Sequence, residues 1–167
     1  MNTFSKASRR VPGARVPRGA LALALAGTLW GAPAHGEERL TGPLSAQVLR
    51  VLDGDTLEVR AQIWLGQAVT TRVRLAGVDA PELSGKCPDE KALAARARAF
   101  LSARIGAAAD APGQVVLRDV RYGKFAGRVL ARVETPRGED LAGGLISAGL
   151  ARPYSGRRRQ SWCVDAG

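Results

Sequence analysis

Residues 44–78 read LSAQVLRVLDGDTLEVRAQIWLGQAVTTRVRLAGV, and their alternation decides the fold. Within 56–65, Leu57, Val59, Ala61, Ile63 and Leu65 alternate with Glu58, Arg60, Gln62 and Trp64. A period of two puts one face of a strand on a core and the other toward water. Upstream, 44–52 is also strand-like, and Asp53-Gly54-Asp55 supplies a tight hairpin turn, because Asp and Gly tolerate the backbone angles such turns need. Downstream, Gly66-Gln67 turns the chain into 68–78, where Val73 and Leu75 alternate with Arg72 and Arg74. A three-stranded meander is predicted. Asp79-Ala80-Pro81-Glu82 then stops the third strand, since proline cannot donate into a ladder and holds its predecessor extended.

Further along, 89–105 reads as an amphipathic helix with Asp89 as N-cap and Leu93, Ala97, Phe100, Leu101 and Ile105 on one stripe. Two more strands are expected at 115–120 and 128–134, joined by a segment containing Gly123 and Gly127. Asp140 is placed to cap a short second helix through Ala148. Three strands, a helix, two strands and a helix predict a mainly β fold with α (α+β). The expected form is a small closed antiparallel barrel, a five-stranded OB-fold barrel with two or three packed helices.

The chain of 167 residues suits one domain with its own core. It holds 25 Lys and Arg against 15 Asp and Glu, a formal charge of +10, so its partners are expected to be anionic. Five of those basic residues (Lys6, Arg9, Arg10, Arg15, Arg18) precede any acidic one, and setting them aside leaves 20 against 15, or +5. They are followed by the apolar run GALALALAGTLWGAPA at 19–34, ending in Ala32-Pro33-Ala34. Basic, apolar, then small-residue order is the pattern of an export signal, and the run is shorter than the ~20 residues a bilayer span needs. The expected organisation is a signal peptide over 1–36, cut after Ala34 or Gly36, a linker over 37–43, a domain over 44–156 and a basic tail over 157–167. The mature protein is then periplasmic or secreted, without stable membrane association and monomeric.

Export makes Cys87 and Cys163 candidates for a disulfide, the alternative being two unpaired thiols. Two cysteines cannot build a zinc site, and the single histidine, His35, stands at the expected cleavage site. This excludes a Ser-His-Asp triad, a Cys-His pair, a His-ligated zinc and a histidine base from the mature chain. Catalysis, if present, must run on carboxylates, arginines and water, with or without a hard metal ion.

Asp53-Gly54-Asp55-Thr56 and Asp79-Ala80-Pro81-Glu82 each place carboxylates at strand ends, where side chains can converge. Two carboxylates with a backbone carbonyl suit a hard cation such as Ca²⁺, and a third carboxylate remains for acid-base work. Interleaved arginines offer bidentate clamps for a phosphoryl group. The combination points to phosphodiester hydrolysis, although each piece alone also reads as an ordinary turn, a capped loop or a solvated strand face.

The ordered set D-G-D-T, R-x-x-G-V-D-A-P-E, E-x-x-x-A-x-x-A, G-R-x-L-A-x-V and G-L-I-x-A-G-L-A, within 48–154, closely resembles the staphylococcal nuclease (thermonuclease) family. The resemblance implies an OB-fold barrel and Ca²⁺-dependent endonucleolytic cleavage of DNA and RNA, leaving 3′-phosphate products; among those partners single strands are expected to be preferred. By position it implies Asp55 and Asp79 as calcium carboxylates, Ala80 as the residue lending a carbonyl, Glu82 as general base and Arg74 as the first phosphate-binding arginine. The second arginine is Arg128 if Gly127-Arg128 aligns with the family's Gly-Arg; aligning Tyr122-Gly123 instead puts Lys124 there, which lacks the bidentate fork. Ala80 stands where well-known members carry threonine, and Phe125-Ala126 replaces the usual Lys-Tyr. Tyr122, Lys124 and Tyr154 are candidates to restore substrate contacts by stacking and charge. Arg157-Arg158-Arg159 reads either as a phosphate patch or as a solvated tail, and a disulfide would hold it near the Cys87 loop, close in sequence to Glu82. The competing expectations are a noncatalytic nucleic-acid-binding OB module and an exported domain that binds polyanions through its basic helix face.

Overall fold

The structure, a computed structural model, describes residues 38–106, 113–123 and 127–163; the expected signal peptide and Lys124 lie outside them. The elements in order are β1 (Arg39–Leu40), β2 (Leu44–Asp53), β3 (Thr56–Trp64), β4 (Gln67–Leu75), β5 (Val78–Asp79), α1 (Pro88–Ile105), β6 (Gln114–Tyr122), β7 (Arg128–Glu134), α2 (Leu141–Ser147) and β8 (Arg152–Pro153). β6, β2, β3, β4 and β7 pair in that order, and β6 pairs again with β7, so five strands close into an OB-type barrel. The expected meander is β2–β3–β4, with Asp53 opposite Thr56 across the first hairpin. The closure is not wholly antiparallel as predicted. β4 and β7 run parallel, Arg72 beside Arg128 and Leu75 beside Ala131, which the long connection through α1 and β6 permits.

Alternation sorts the β3 side chains as expected as far as Ala61: Leu57 and Val59 are wholly buried and Ala61 nearly so. Beyond it the pattern fails, for Ile63 is 45% exposed and Leu65 87%. The pairing of β2 with β3 ends at Ala46 and Ala61, while β3 and β4 continue together to Trp64 and Gln67. The tip of that hairpin therefore has no barrel neighbour on the β2 side. The core is filled by Val48, Leu57, Val59, Val73, Leu75, Val115, Leu117 and Val133 from the strands, with Ala97 and Leu101 of α1 and Leu141 and Leu145 of α2 packed on them.

Three local readings are corrected. The expected third strand breaks after Leu75, because Gly77 turns the chain with φ of +82°, a conformation glycine adopts without a Cβ clash. The two residues beyond the turn form β5, which pairs with β8. The N-cap of α1 is Cys87, not Asp89: Pro88 opens the helix and Asp89 and Glu90 sit in its first turn, where proline's missing N–H costs nothing and acidic groups face the positive end of the helix. Within the expected linker, Arg39–Leu40 adds a short strand to β6. The α2 cap is as expected, with Asp140 accepting from the Ala142 and Gly143 amides at 3.1 Å each.

Candidate active site

The β2–β3 turn, the loop after β5 and the first turns of α1 meet at one end of the barrel because small groups let them. Gly54 lies so close to α1 that a Cβ there would stand 2.9 Å from the Ala97 Cβ and 3.1 Å from that of Ala80. Asp53 closes the junction, its Oδ1 accepting from the Gly54 amide at 2.9 Å and the Leu83 amide at 3.3 Å. From the other side Glu90 of α1 holds the loop, accepting from the Glu82 amide at 3.4 Å and the Lys86 amide at 3.0 Å. The loop that carries Glu82 is thus pinned by two acidic side chains: Asp53, read in the sequence only as part of the hairpin turn motif, and Glu90, not read as a site residue at all.

Asp55 and Asp79 are each only 4% exposed. Asp55 Oδ1 accepts from the Thr56 hydroxyl at 2.8 Å, and Oδ2 lies 3.5 Å from the Ala80 amide and 2.5 Å from Arg74 Nη1. Burial pushes the Asp55 carboxyl above its ordinary value, against the opposing pull of Arg74 and the Thr56 hydrogen bond. Arg74 also stands 3.7 Å from Asp79 Oδ1 and donates to the Val78 carbonyl at 3.4 Å. A strand position that reads as a solvated face is therefore an arginine bracketed by two buried carboxylates.

The guanidinium of Arg159, from the tail, fills the space between the other expected groups. Its Nε donates to Asp79 Oδ1, its Nη1 to Glu82 Oε1 and its Nη2 to the Ala80 carbonyl at 3.2 Å. Burial works against its charge, but the hydrogen bonds and charges of Glu82 and Asp79 outweigh it and raise its pKa above the ordinary arginine value. Sequence reasoning missed Arg159 as a site residue; the signal available was the Cys87–Cys163 pairing, which brings the basic run to the loop beyond Glu82. That disulfide is present, with the two Cα atoms 5.9 Å apart.

A cleft of about 670 Å³ has Asp53, Asp55, Arg72, Arg74, Glu82, Arg128, Tyr154 and Arg159 in its lining, whereas the buried Asp79 and Ala80 are not part of its wall. Arg128, at the start of β7, reaches the cleft through the parallel pairing that sets it beside Arg72. Tyr154 lines it too, its amide bonded to the Gly77 carbonyl at 2.8 Å. Tyr122 does not: it is exposed at the end of β6 and absent from the cleft wall.

The donor set suits a hard cation. Asp79 and the Ala80 carbonyl already share a cationic partner, the Arg159 guanidinium, and Asp55 lies one arginine away through Arg74. Among the described residues, the trio of acidic or sulfur groups whose ligand atoms all approach within 4.8 Å is Cys87, Glu90 and Cys163, and its sulfurs are consumed in the disulfide. Asp55, Asp79 and Glu82 are held apart around the two arginines instead.

Residues 72–163 match the staphylococcal nuclease homologue family. The chain belongs to that family. The matched span holds Arg74, Asp79, Ala80, Glu82, Arg128, Tyr154, Arg159 and both cysteines; Asp55 precedes it and takes its place from geometry. A relative described as micrococcal nuclease, from Shigella flexneri, is 35% identical over 113 residues, which cover 65% of this chain and 57% of that protein. The chain thus spans somewhat over half the length of that relative.

Proposed function

We propose that this member of the staphylococcal nuclease family is a calcium-dependent endonuclease that hydrolyses phosphodiester bonds of DNA and RNA. The observation that carries the reading is the grouping of Asp55, Asp79, the Ala80 carbonyl and Glu82 around Arg74 and Arg159, with Asp55, Arg74, Glu82 and Arg128 lining one cleft. Asp55, Asp79 and the Ala80 carbonyl are the groups to hold the metal. Bound there, Ca²⁺ would supply positive charge against a nonbridging phosphate oxygen and orient a water for attack. Glu82, at the exposed side of the cleft, takes the proton of that water. Arg74 and Arg128 donate to the phosphate oxygens, where charge accumulates at the crowded phosphorus; each such donor is typically worth a few kcal/mol in the transition state. Both carboxylates that flank Arg74 are buried, which fixes its fork before substrate arrives. Tyr154 offers a ring on which a base can stack.

Family membership and the micrococcal nuclease relative support a nuclease rather than another phosphodiesterase. Single strands are the expected preference, cleavage is expected to leave 3′-phosphates, and the basic, apolar and small-residue order over the first 36 residues supports export to the periplasm or beyond. The test is digestion of single- and double-stranded DNA and of RNA, in calcium or in chelator, by wild type and Glu82→Gln. Calcium-dependent cutting that collapses in the variant supports the reading. Intact polymer throughout, with binding retained, replaces it with a noncatalytic OB module.

A further inference from the structure

Arg159 binds the three groups that the reading above assigns to metal and base: the Asp79 carboxylate, the Ala80 carbonyl and the Glu82 carboxylate. This placement is built, because the segment carrying it is fastened at both ends. On one side β8 pairs with β5, so that Arg152 stands opposite Asp79 itself, and the Tyr154 hydroxyl donates to the Arg157 carbonyl at 2.6 Å. On the other, the Arg152 guanidinium stacks 3.8 Å from the Trp162 ring and donates to the Ser161 carbonyl at 3.0 Å, and Cys163 is bonded to Cys87 at the N-cap of α1. Arg159 sits within this short loop, its side chain directed into the cleft.

We propose that Arg159 is a tethered competitor for the cation site, a residue that sets how much divalent metal the site needs before it fills. The inference rests on the calcium reading of the same site. A divalent ion on Asp79 and the Ala80 carbonyl competes with a guanidinium that already donates to an oxygen of each, and the two cations repel each other at that range. Metal entry therefore expels Arg159, and the same displacement frees Glu82 Oε1 to act as a base. The tether keeps the expelled side chain near the cleft at high effective concentration, so that it returns when metal leaves.

The test is calcium titration by calorimetry on the full-length oxidised protein, comparing wild type, Arg159→Gln and Arg158→Gln. Arg158 belongs to the same basic run and controls for the loss of one positive charge. Arg159→Gln should bind calcium at least about tenfold more tightly than wild type, and Arg158→Gln should change affinity less than about twofold. In parallel, the arginine Nε–H resonance that disappears in Arg159→Gln should move when wild type is saturated with calcium. Calcium bound equally well by wild type and Arg159→Gln, equal gains in both variants, or an Arg159 resonance unmoved at saturation overturns the inference while leaving the calcium site standing. Absence of calcium binding in all three proteins, each shown folded by circular dichroism, overturns the calcium reading and this inference with it.

Discussion

Arg74 and Asp55 show how one side chain changes meaning with its surroundings. On an alternating strand an arginine ordinarily projects into solvent, yet Arg74 is held between two carboxylates that are each 4% exposed. Lysine there keeps the charge but loses the fork. Arg74→Lys is expected to lower kcat about a hundredfold with KM little changed, the pattern of an interaction made mainly in the transition state; an equal fall in affinity with kcat intact would assign Arg74 to ground-state binding instead. For Asp55 the raised carboxyl sets a pH dependence of stability. Its contribution is complete below the ordinary value near 3.8 and is lost as pH rises through the raised folded value, because the folded state then binds more protons than the unfolded chain. In calcium-free buffer the melting temperature of Asp55→Asn relative to wild type should therefore climb from acid to neutral pH. A difference that stays flat or falls contradicts the assignment of burial as the dominant influence. Asp55, Asp79, Ala80 and Glu82 were legible in the sequence because each stands at a turn or strand end within a recognisable motif. Arg159 was legible only as one of three tail arginines that a Cys87–Cys163 disulfide would bring near Glu82; which of the three reaches the site depends on partners 77 to 80 positions away.

At the scale of elements, the site exists because a hairpin turn, a proline-stopped loop and a helix N-terminus pack without room to spare. At Gly54 there is no room for a side chain, since an added Cβ falls within van der Waals overlap of both Ala97 and Ala80. Gly54→Ala should cost about 1–3 kcal/mol in urea unfolding, the usual range for overpacking. Its effect on activity should exceed that of a similarly destabilising change remote from the cleft, since the carboxylates on both sides of the contact must shift. A neutral substitution would show that the turn and helix give way more readily than the packing implies. The alternation over 56–61 and the Asp140 cap revealed β3 and α2 directly, because both signals are local. The parallel β4–β7 pairing and the two-residue strands β5 and β8 leave no periodic trace: their existence depends on where distant segments arrive.

Within the described domain, the tail returns to the cleft of the barrel and is fastened there. The Cys87–Cys163 bond spans 76 positions, and on the chain-entropy account a loop of that size stabilises the folded state by about 4 kcal/mol. Replacing both cysteines by serine should lower stability by a substantial part of that amount in denaturant titration, with an unchanged barrel signature in far-ultraviolet circular dichroism. Unaltered stability would mean that the unfolded chain gains little freedom from the break. The bond joins the tail to the helix start next to the loop that carries Glu82, so its mechanical and functional consequences fall at the same place.

A catalytic cleft cuts the polymer it holds, whereas a polyanion-binding surface leaves it intact. The most direct measurement follows one fluorescently labelled single-stranded oligonucleotide through both binding and cleavage, with wild type and Glu82→Gln, across a calcium titration. Cleavage by wild type should rise with calcium and vanish with chelator, and Glu82→Gln should lose at least about a hundredfold in cleavage while binding persists. Cleavage by both proteins at similar rates, or binding without cleavage by either, would contradict the catalytic reading.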